Sequence, residues 1–169
     1  LENRRLFEQA QSEQRRLQSV LATLPVGVLV IDPKTMRPIL HNEQAEIYFG
    51  QEIEQATPFS VDNYYLHRTG TELPYPKEEM PVFIAINRDE TAVSDDVAVI
   101  RDGNKIDLQF NAAPVHNSEG DITAVVVAFQ DISSLRSMEN TLQDNLRQTV
   151  TLYEAQVQFG EAEELDELL

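Results

Sequence analysis

An alternation in the second half of the chain restricts its fold more than any other feature. Val97 and Val99, then Ile106, Leu108, Phe110 and Ala112, alternate with polar or small residues, the period of two that places every second side chain on one face of a strand. Asp102-Gly103-Asn104 sits between the two runs as a tight-turn signal, so they form an antiparallel hairpin. A second turn at Asn117-Ser118-Glu119-Gly120 leads into a third run over residues 122–130, and the three strands make a meander with one face apolar enough to bury.

The chain ahead of the meander is built from shorter pieces. Val26-Gly27-Val28-Leu29-Val30-Ile31, closed by Asp32-Pro33, reads as a strand, and after a turn Arg37-Pro38-Ile39-Leu40-His41-Asn42 reads as its hairpin partner. Asn42 can cap a short helix with Ala45, Tyr48 and Phe49 on one face, ended by Gly50. Residues 51–76 mix Pro58, Gly70, Pro74 and Pro76 with polar and aromatic side chains and show no sustained period, so loop with short helical turns is expected there. A helix resumes over 77–88, with Pro81 near its start and Val82, Phe83 and Ile86 as an apolar stripe. Two strands, short helices and three longer strands give an α+β order.

Both ends read as helix. Residues 1–24 lack Gly and Pro and are rich in Gln, Glu, Arg and Leu. Leu6, Ala10, Glu13, Leu17, Val20 and Leu24 alternate steps of four and three, the spacing of a seam that faces a partner helix, with Glu13 interrupting it. Packing on its own domain is the other reading of this stripe. After Asp131, Leu135, Met138, Leu142, Asn145, Thr149, Leu152, Gln156 and Phe159 repeat at the same spacing up to Gly160, which is expected to break the helix. A competing stripe of Leu142, Leu146, Val150, Tyr153 and Val157 is more apolar, so the frame stays open beyond Leu142. A solitary helix of this length is marginal in water, so either stripe needs a second surface: the same helix of another subunit, or the domain's own sheet. The expected division is a coiled-coil helix over 1–24, a domain over 25–132, a second such helix over 133–160, and an acidic tail or linker over 161–169.

Charge and composition exclude several functions. Against 13 basic residues stand 29 acidic ones, a net charge of -16 that repels phosphate backbones and anionic lipid headgroups, so neither nucleic acid nor membrane is expected as a partner. Glu161, Glu163, Glu164, Asp166 and Glu167, with no base among them, make part of this imbalance a property of the tail. The longest apolar run, around Val125-Val126-Val127-Ala128-Phe129, falls short of the roughly 20 residues that cross a bilayer. With 0 cysteines there are no disulfides and no thiolate sites, and a reducing cytoplasm is expected. The chain opens at Leu1 without initiator Met or signal-peptide stretch and is expected to be a fragment of a larger protein.

Several local motifs, in order, resemble the PAS family, the sensor domains of bacterial histidine kinases, cyclases and related regulators. They are Leu24-Pro25-Val26-Gly27-Val28-Leu29-Val30-Ile31-Asp32, then Asn42-Glu43-Gln44-Ala45 running to Phe49-Gly50, then Leu73-Pro74-Tyr75-Pro76-Lys77-Glu78-Glu79-Met80-Pro81. The fourth, Phe129-Gln130-Asp131-Ile132-Ser133-Ser134-Leu135-Arg136, is similar to the family's Asp-Ile-Thr-like step from the last strand into an output helix. The likeness covers residues 17–136. It implies a five-stranded antiparallel sheet with helices on one face, a cavity between them, and flanking helices that dimerise. At the step itself, Asp131 or Ser133 can cap the outgoing helix, and Arg136 is close enough in sequence to pair with Asp131.

PAS relatives hold haem, flavins, other chromophores, small acids or nothing. Without cysteine, the flavin–cysteinyl bond and thiol-attached chromophores are excluded. Residues 77–88 contain no His, so the usual axial haem ligand is missing and no cofactor is expected. His41, His67 and His116 read as surface residues, with no second ligand at metal spacing. Tyr48, Phe83, Ile86, Phe110 and Phe129 would line a small pocket or fill a plain core equally well. There is no phosphate-cradling Gly-rich loop and no phospho-acceptor His box, and Asp95-Asp96, adjacent on a strand, point to opposite faces, so no enzyme is expected. The expected function is a sensory and dimerising module: a homodimer joined through Leu6, Ala10, Leu17, Val20, Leu24, Leu135, Met138, Leu142 and Leu152, relaying a signal to neighbouring domains of its parent, a kinase or cyclase. A small-ligand sensor and a protein-interaction scaffold are the alternatives.

Overall fold

The computed structural model describes the backbone of residues 2–50, 52–101 and 103–166. Its elements run α1 (Glu2–Thr23), β1 (Gly27–Ile31), β2 (Pro38–His41), α2 (Glu43–Phe49), β3 (Leu66–Arg68), a 3-10 turn (Lys77–Glu79), α3 (Pro81–Arg88), β4 (Ala92–Arg101), β5 (Asn104–His116), β6 (Ile122–Asp131) and α4 (Ser133–Asp166). The chain forms two compact units, Leu1–Ile132 and Ser133–Leu169.

The strands form one antiparallel sheet in the order β2-β1-β6-β5-β4-β3. It has six strands where five were expected. The additional strand, β3, lies in the segment expected as loop. It spans only Leu66–Arg68, too short to show a period, and exists because the edge of β4 pairs with it, Leu66 against Val99 and Arg68 against Val97. β4 itself starts at Ala92, well before Val97, since a register irregularity between Ser94 and Val97 breaks the alternation that would have revealed it.

Two helix boundaries also differ from expectation. Over 77–88 the chain forms a 3-10 turn and then α3 with Pro81 in its first turn. A continuous α-helix from Lys77 would set the Pro81 ring against the carbonyl four residues earlier, whereas at the helix start the missing N–H is harmless. At the other end, α4 runs through Gly160 to Asp166. Glycine costs about 1 kcal/mol in a helix but lacks proline's steric block, and the Glu, Ala and Leu around it are strong helix formers.

The core lies between the sheet and its helices. Leu29, Ile31, Val97, Val99, Leu108, Phe110, Ala112, Val125, Val127 and Phe129 point inward and are buried. Ala45 and Phe49 of α2, and Val82, Phe83 and Ala85 of α3, cover them. Between the helices the irregular segment contributes Ile53, Phe59, Val61, Tyr64, Tyr75 and Met80 to the same cluster. Each large side chain so buried stabilises the fold by about 1.5–3 kcal/mol. One contact depends on a missing side chain. Gly27 pairs with Phe129 across β1 and β6, and a Cβ on Gly27 would lie closer than 3.0 Å to three carbons of the Phe129 ring.

Candidate functional site

The interior is filled by rings. Phe129 stacks on Phe110 with centroids 5.0 Å apart, and Phe49 of α2 reaches Phe129 at 4.7 Å and Tyr64 at 4.5 Å. Phe59 continues the series, stacked 5.1 Å from Tyr64. Burial pushes the Tyr64 phenol above its ordinary pKa. Of the expected lining residues, Phe110 and Phe129 are central to this stack, while Tyr48 stands at its margin, 6.0 Å from the Phe129 ring. Phe83 is buried on α3 beneath the Lys77 ammonium, 4.7 Å from its ring centre, and Ile86 packs half-buried against the core. Sequence reasoning had the main rings but not Phe49, Phe59 and Tyr64 as their partners.

A polar network that the sequence reading missed closes the β3–β4 edge. Arg68 on β3 donates to Asp96 Oδ2 at 2.8 Å and to Glu79 Oε2 at 2.5 Å, and its guanidinium lies 5.2 Å from the centre of the Tyr75 ring. The Tyr75 hydroxyl donates to Asp96 Oδ1 at 2.7 Å and lies 2.9 Å from Ser94 Oγ, which itself donates to Asp96 Oδ1. Burial above all, with the neighbouring carboxylate, pushes the Tyr75 phenol up to about 12. Burial also works to raise Asp96, but the hydrogen bonds from Ser94 and Tyr75 and the Arg68 charge outweigh it and hold this carboxyl below its ordinary range. Asp95, its sequence neighbour, is exposed, whereas Asp96 is held by Arg68, Tyr75 and Ser94 as a structural anchor. The one signal available was the closeness of Ser94 and Asp96 in sequence, and the register irregularity between Ser94 and Val97 hid it.

The junction with α1 is organised by Asn42. Its Oδ1 accepts from Val28 N at 2.8 Å and from Ala45 N at 3.1 Å, and its Nδ2 donates to Leu21 O at 3.0 Å and Val26 O at 2.8 Å. The expected cap of α2 is therefore present, with more partners than a cap requires. Gly50, at φ 67°, closes α2 in the left-handed region, donating to Glu46 O. At the other junction, Asp131 ends β6, while Ser133 and Arg136 lie in the first turn of α4, across the boundary between the two units. Ile132 N donates to Asp107 O at 2.8 Å, fastening the end of the sheet.

The histidines and seam residues complete the placement. His67 stands on β3, not in a loop, with Nδ1 2.8 Å from Tyr65 O. His41 Nε2 lies 3.0 Å from Glu46, and His116 Nε2 lies 2.6 Å from Asp89. Among the described residues no group of three or more His, Asp or Glu could hold a metal ion. Val20 on α1 and Leu24 just beyond its end are exposed, as are Leu135, Met138, Leu142 and Leu152 on α4. The side chains of Leu6, Ala10 and Leu17, and of residues 156–169, lie outside the described residues.

A family model described as the PAS fold matches residues 15–132, well over half of the chain. The chain belongs to the PAS family. A PAS domain is a sensory and regulatory module, not an enzyme. This PAS domain is similar to that of an HTR-like protein from Haloarcula marismortui, with 14% identity over 76% of this chain and 99% of that one, at a TM-score of 0.54. It is also similar to an RNA-binding light-oxygen-voltage receptor, with 16% identity, a TM-score of 0.59, and coverage of 79% of this chain but only 37% of the receptor. A light-oxygen-voltage domain studied with a flavin analogue gives 15% identity over 80% of this chain and 96% of that one, at a TM-score of 0.53. At such identities the likeness is one of fold alone. No curated protein matches the chain. Among the described residues no helix of this PAS domain is long and apolar enough to cross a membrane.

Proposed function

We propose that this PAS domain is a cytoplasmic relay module that dimerises through α1 and α4 and passes a conformational change to an output domain, a histidine kinase or nucleotide cyclase, in a two-component or related pathway. One observation carries this reading. Leu135, Met138, Leu142, Leu146, Val150, Leu152 and Tyr153 of α4 are each 54–70% exposed, an apolar load that a helix in water conceals against another helix. The stacked rings of the interior favour relay over small-molecule capture, since Phe49, Phe110 and Phe129 occupy the space between sheet and α2. The absence of cysteine removes the flavin–cysteinyl bond from the chemistry open to it.

A second reading has its own observation. Leu40, Val30, Val126 and Ala113 face one another in register across β2, β1, β6 and β5, an uncharged row on the outer side of the sheet that suits a protein-binding scaffold. The oligomeric state separates the two. Leu142→Asp combined with Leu146→Asp or with Leu152→Asp should yield a monomer by light scattering in at least one case, and the combination that does so identifies the buried stripe. A dimer unchanged in both variants overturns the helical relay and leaves the scaffold.

A further inference from the structure

Among the described apolar side chains at and just beyond α1, Leu21 is half-buried and the others stand largely in solvent. Phe7 is 63% exposed, Val20 50% and Leu24 40%, so burial of these residues does not set the direction in which the helix departs. Pro25 prevents α1 from simply continuing into β1, and a helix end leaves its last four carbonyls without intrahelical donors. The partners of the carbonyls between α1 and β1 are therefore informative. Thr23 Oγ1 donates to Val20 O at 3.0 Å, a bond internal to α1. Three others accept from the two ends of α2: Leu21 O and Val26 O from Asn42 Nδ2, and Pro25 O from the Tyr48 hydroxyl at 2.9 Å.

Asn42 divides its work between its two polar atoms. The oxygen caps α2 through Ala45 N and anchors the start of β1 through Val28 N. The nitrogen spends both hydrogens on the linker. Buried amides pay heavily for an unmet bond, and Asn42 is buried with both atoms fully engaged. Tyr48, the last residue but one of α2, sets its hydroxyl on the linker while its ring faces Phe129 on β6.

From this geometry we infer that α2 is a clamp on the linker between α1 and β1, and that the Asn42 amide nitrogen and the Tyr48 hydroxyl together set the direction of α1. A shift of α2 relative to the sheet is then felt at α1 through three hydrogen bonds. The same shift is felt at β6 through the Tyr48 and Phe49 rings. The clamp is a property of the core itself. Only its use in signalling rests on the relay reading above.

Two substitutions isolate the clamp from the cap. Asn42→Asp keeps both acceptor bonds of the side-chain oxygen and removes both donors, setting a carboxylate oxygen against the Leu21 and Val26 carbonyls. Tyr48→Phe removes one hydroxyl and keeps the ring. With no native cysteine, spin labels at Gln11→Cys on α1 and Glu119→Cys on the β5–β6 turn report the direction of α1 in the full chain, diluted with unlabelled protein to suppress distances between subunits. The pulsed-EPR distance distribution should broaden about twofold or shift in Asn42→Asp and in the double variant, and to a smaller degree in Tyr48→Phe. Amide exchange of β5 and β6 should stay unchanged in Tyr48→Phe. A distribution of unaltered centre and width in Tyr48→Phe and Asn42→Asp overturns the clamp, whatever the oligomeric state. A monomer in the α4 variants with a broadened distribution here overturns neither claim and confirms each separately.

Discussion

The centre of this sheet and its β3–β4 edge are sealed by different physics. Beneath α2, Phe49, Phe110 and Phe129 meet ring against ring with no charge among them, so their cohesion is hydrophobic and dispersive. At the β3–β4 edge the seal is Arg68, Tyr75, Ser94 and Asp96, joined by hydrogen bonds and ion pairs. The first region gains stability from volume and shape and is indifferent to protons around neutral pH. The second gains it from correct protonation of a phenol and a carboxyl.

The largest effect should come from the aromatic centre. Phe129 touches Phe49 and Phe110 and fills the space that Gly27 leaves open, so Phe129→Ala removes packing on several sides at once. Large-to-small core changes of this kind cost about 3–5 kcal/mol. Urea denaturation should show that loss with the same magnitude at pH 6 and pH 8. A loss under 1 kcal/mol, or one that varies with pH across that interval, would break the contrast between centre and edge.

Tyr75 should give the next effect, and only in alkali. Its folded pKa is raised to about 12 from an ordinary value near 10. The folded protein therefore keeps a proton that the unfolded chain loses, and stability present below pH 10 falls as pH rises toward 12. Two units correspond to about 2–3 kcal/mol across that window. Thermal unfolding should show this alkaline limb in the wild type, and Tyr75→Phe should lose most of it, keeping only the part that the raised Tyr64 phenol contributes. At pH 7 the same variant should be weaker by about 1–2 kcal/mol, having left Ser94 and Asp96 short of a partner. An alkaline limb that persists undiminished in Tyr75→Phe would assign it to another group, the buried Tyr64 phenol first.

Most of the fold was legible in the sequence because its parts repeat. The meander from β4 to β6 advertises itself through Ile106, Leu108, Phe110 and Ala112, and through Gly103 and Gly120, which sit at φ 77° and 90° in the turns between the strands. The cap at Asn42 and the close at Gly50 were equally readable, since each occupies the position that helix ends require. What escaped has no period. β3 owes its existence to a neighbour's edge, and the start of β4 hides behind a register shift. The polar edge draws Arg68, Tyr75 and Asp96 from three segments that only the folded chain brings together. Asn42 was recognised as a cap, but its two donor bonds reach 16 and 21 residues back in the chain, beyond any local pattern.

Asp96 supplies the smallest and most specific effect. Arg68, Tyr75 and Ser94 hold its carboxyl below the ordinary range of about 3.9, so its contribution to stability is present above that value and is lost as pH falls through the lower, folded pKa. The side chain is 35% exposed, and water screens part of the Arg68 charge, which keeps the acid limb shallower than the alkaline one. Asp96→Asn keeps an oxygen that can accept from Tyr75 and removes the titration. Its stability profile should flatten below pH 4 relative to the wild type, while the alkaline limb of Tyr75 persists and moves to lower pH, because the neighbouring negative charge that helps raise that phenol is gone. A variant that retains the full acid limb would show that Asp96 does not govern it. An alkaline limb that stays in place would show that burial alone sets the Tyr75 phenol, and the β3–β4 edge would then be a row of independent hydrogen bonds where a coupled seal has been described.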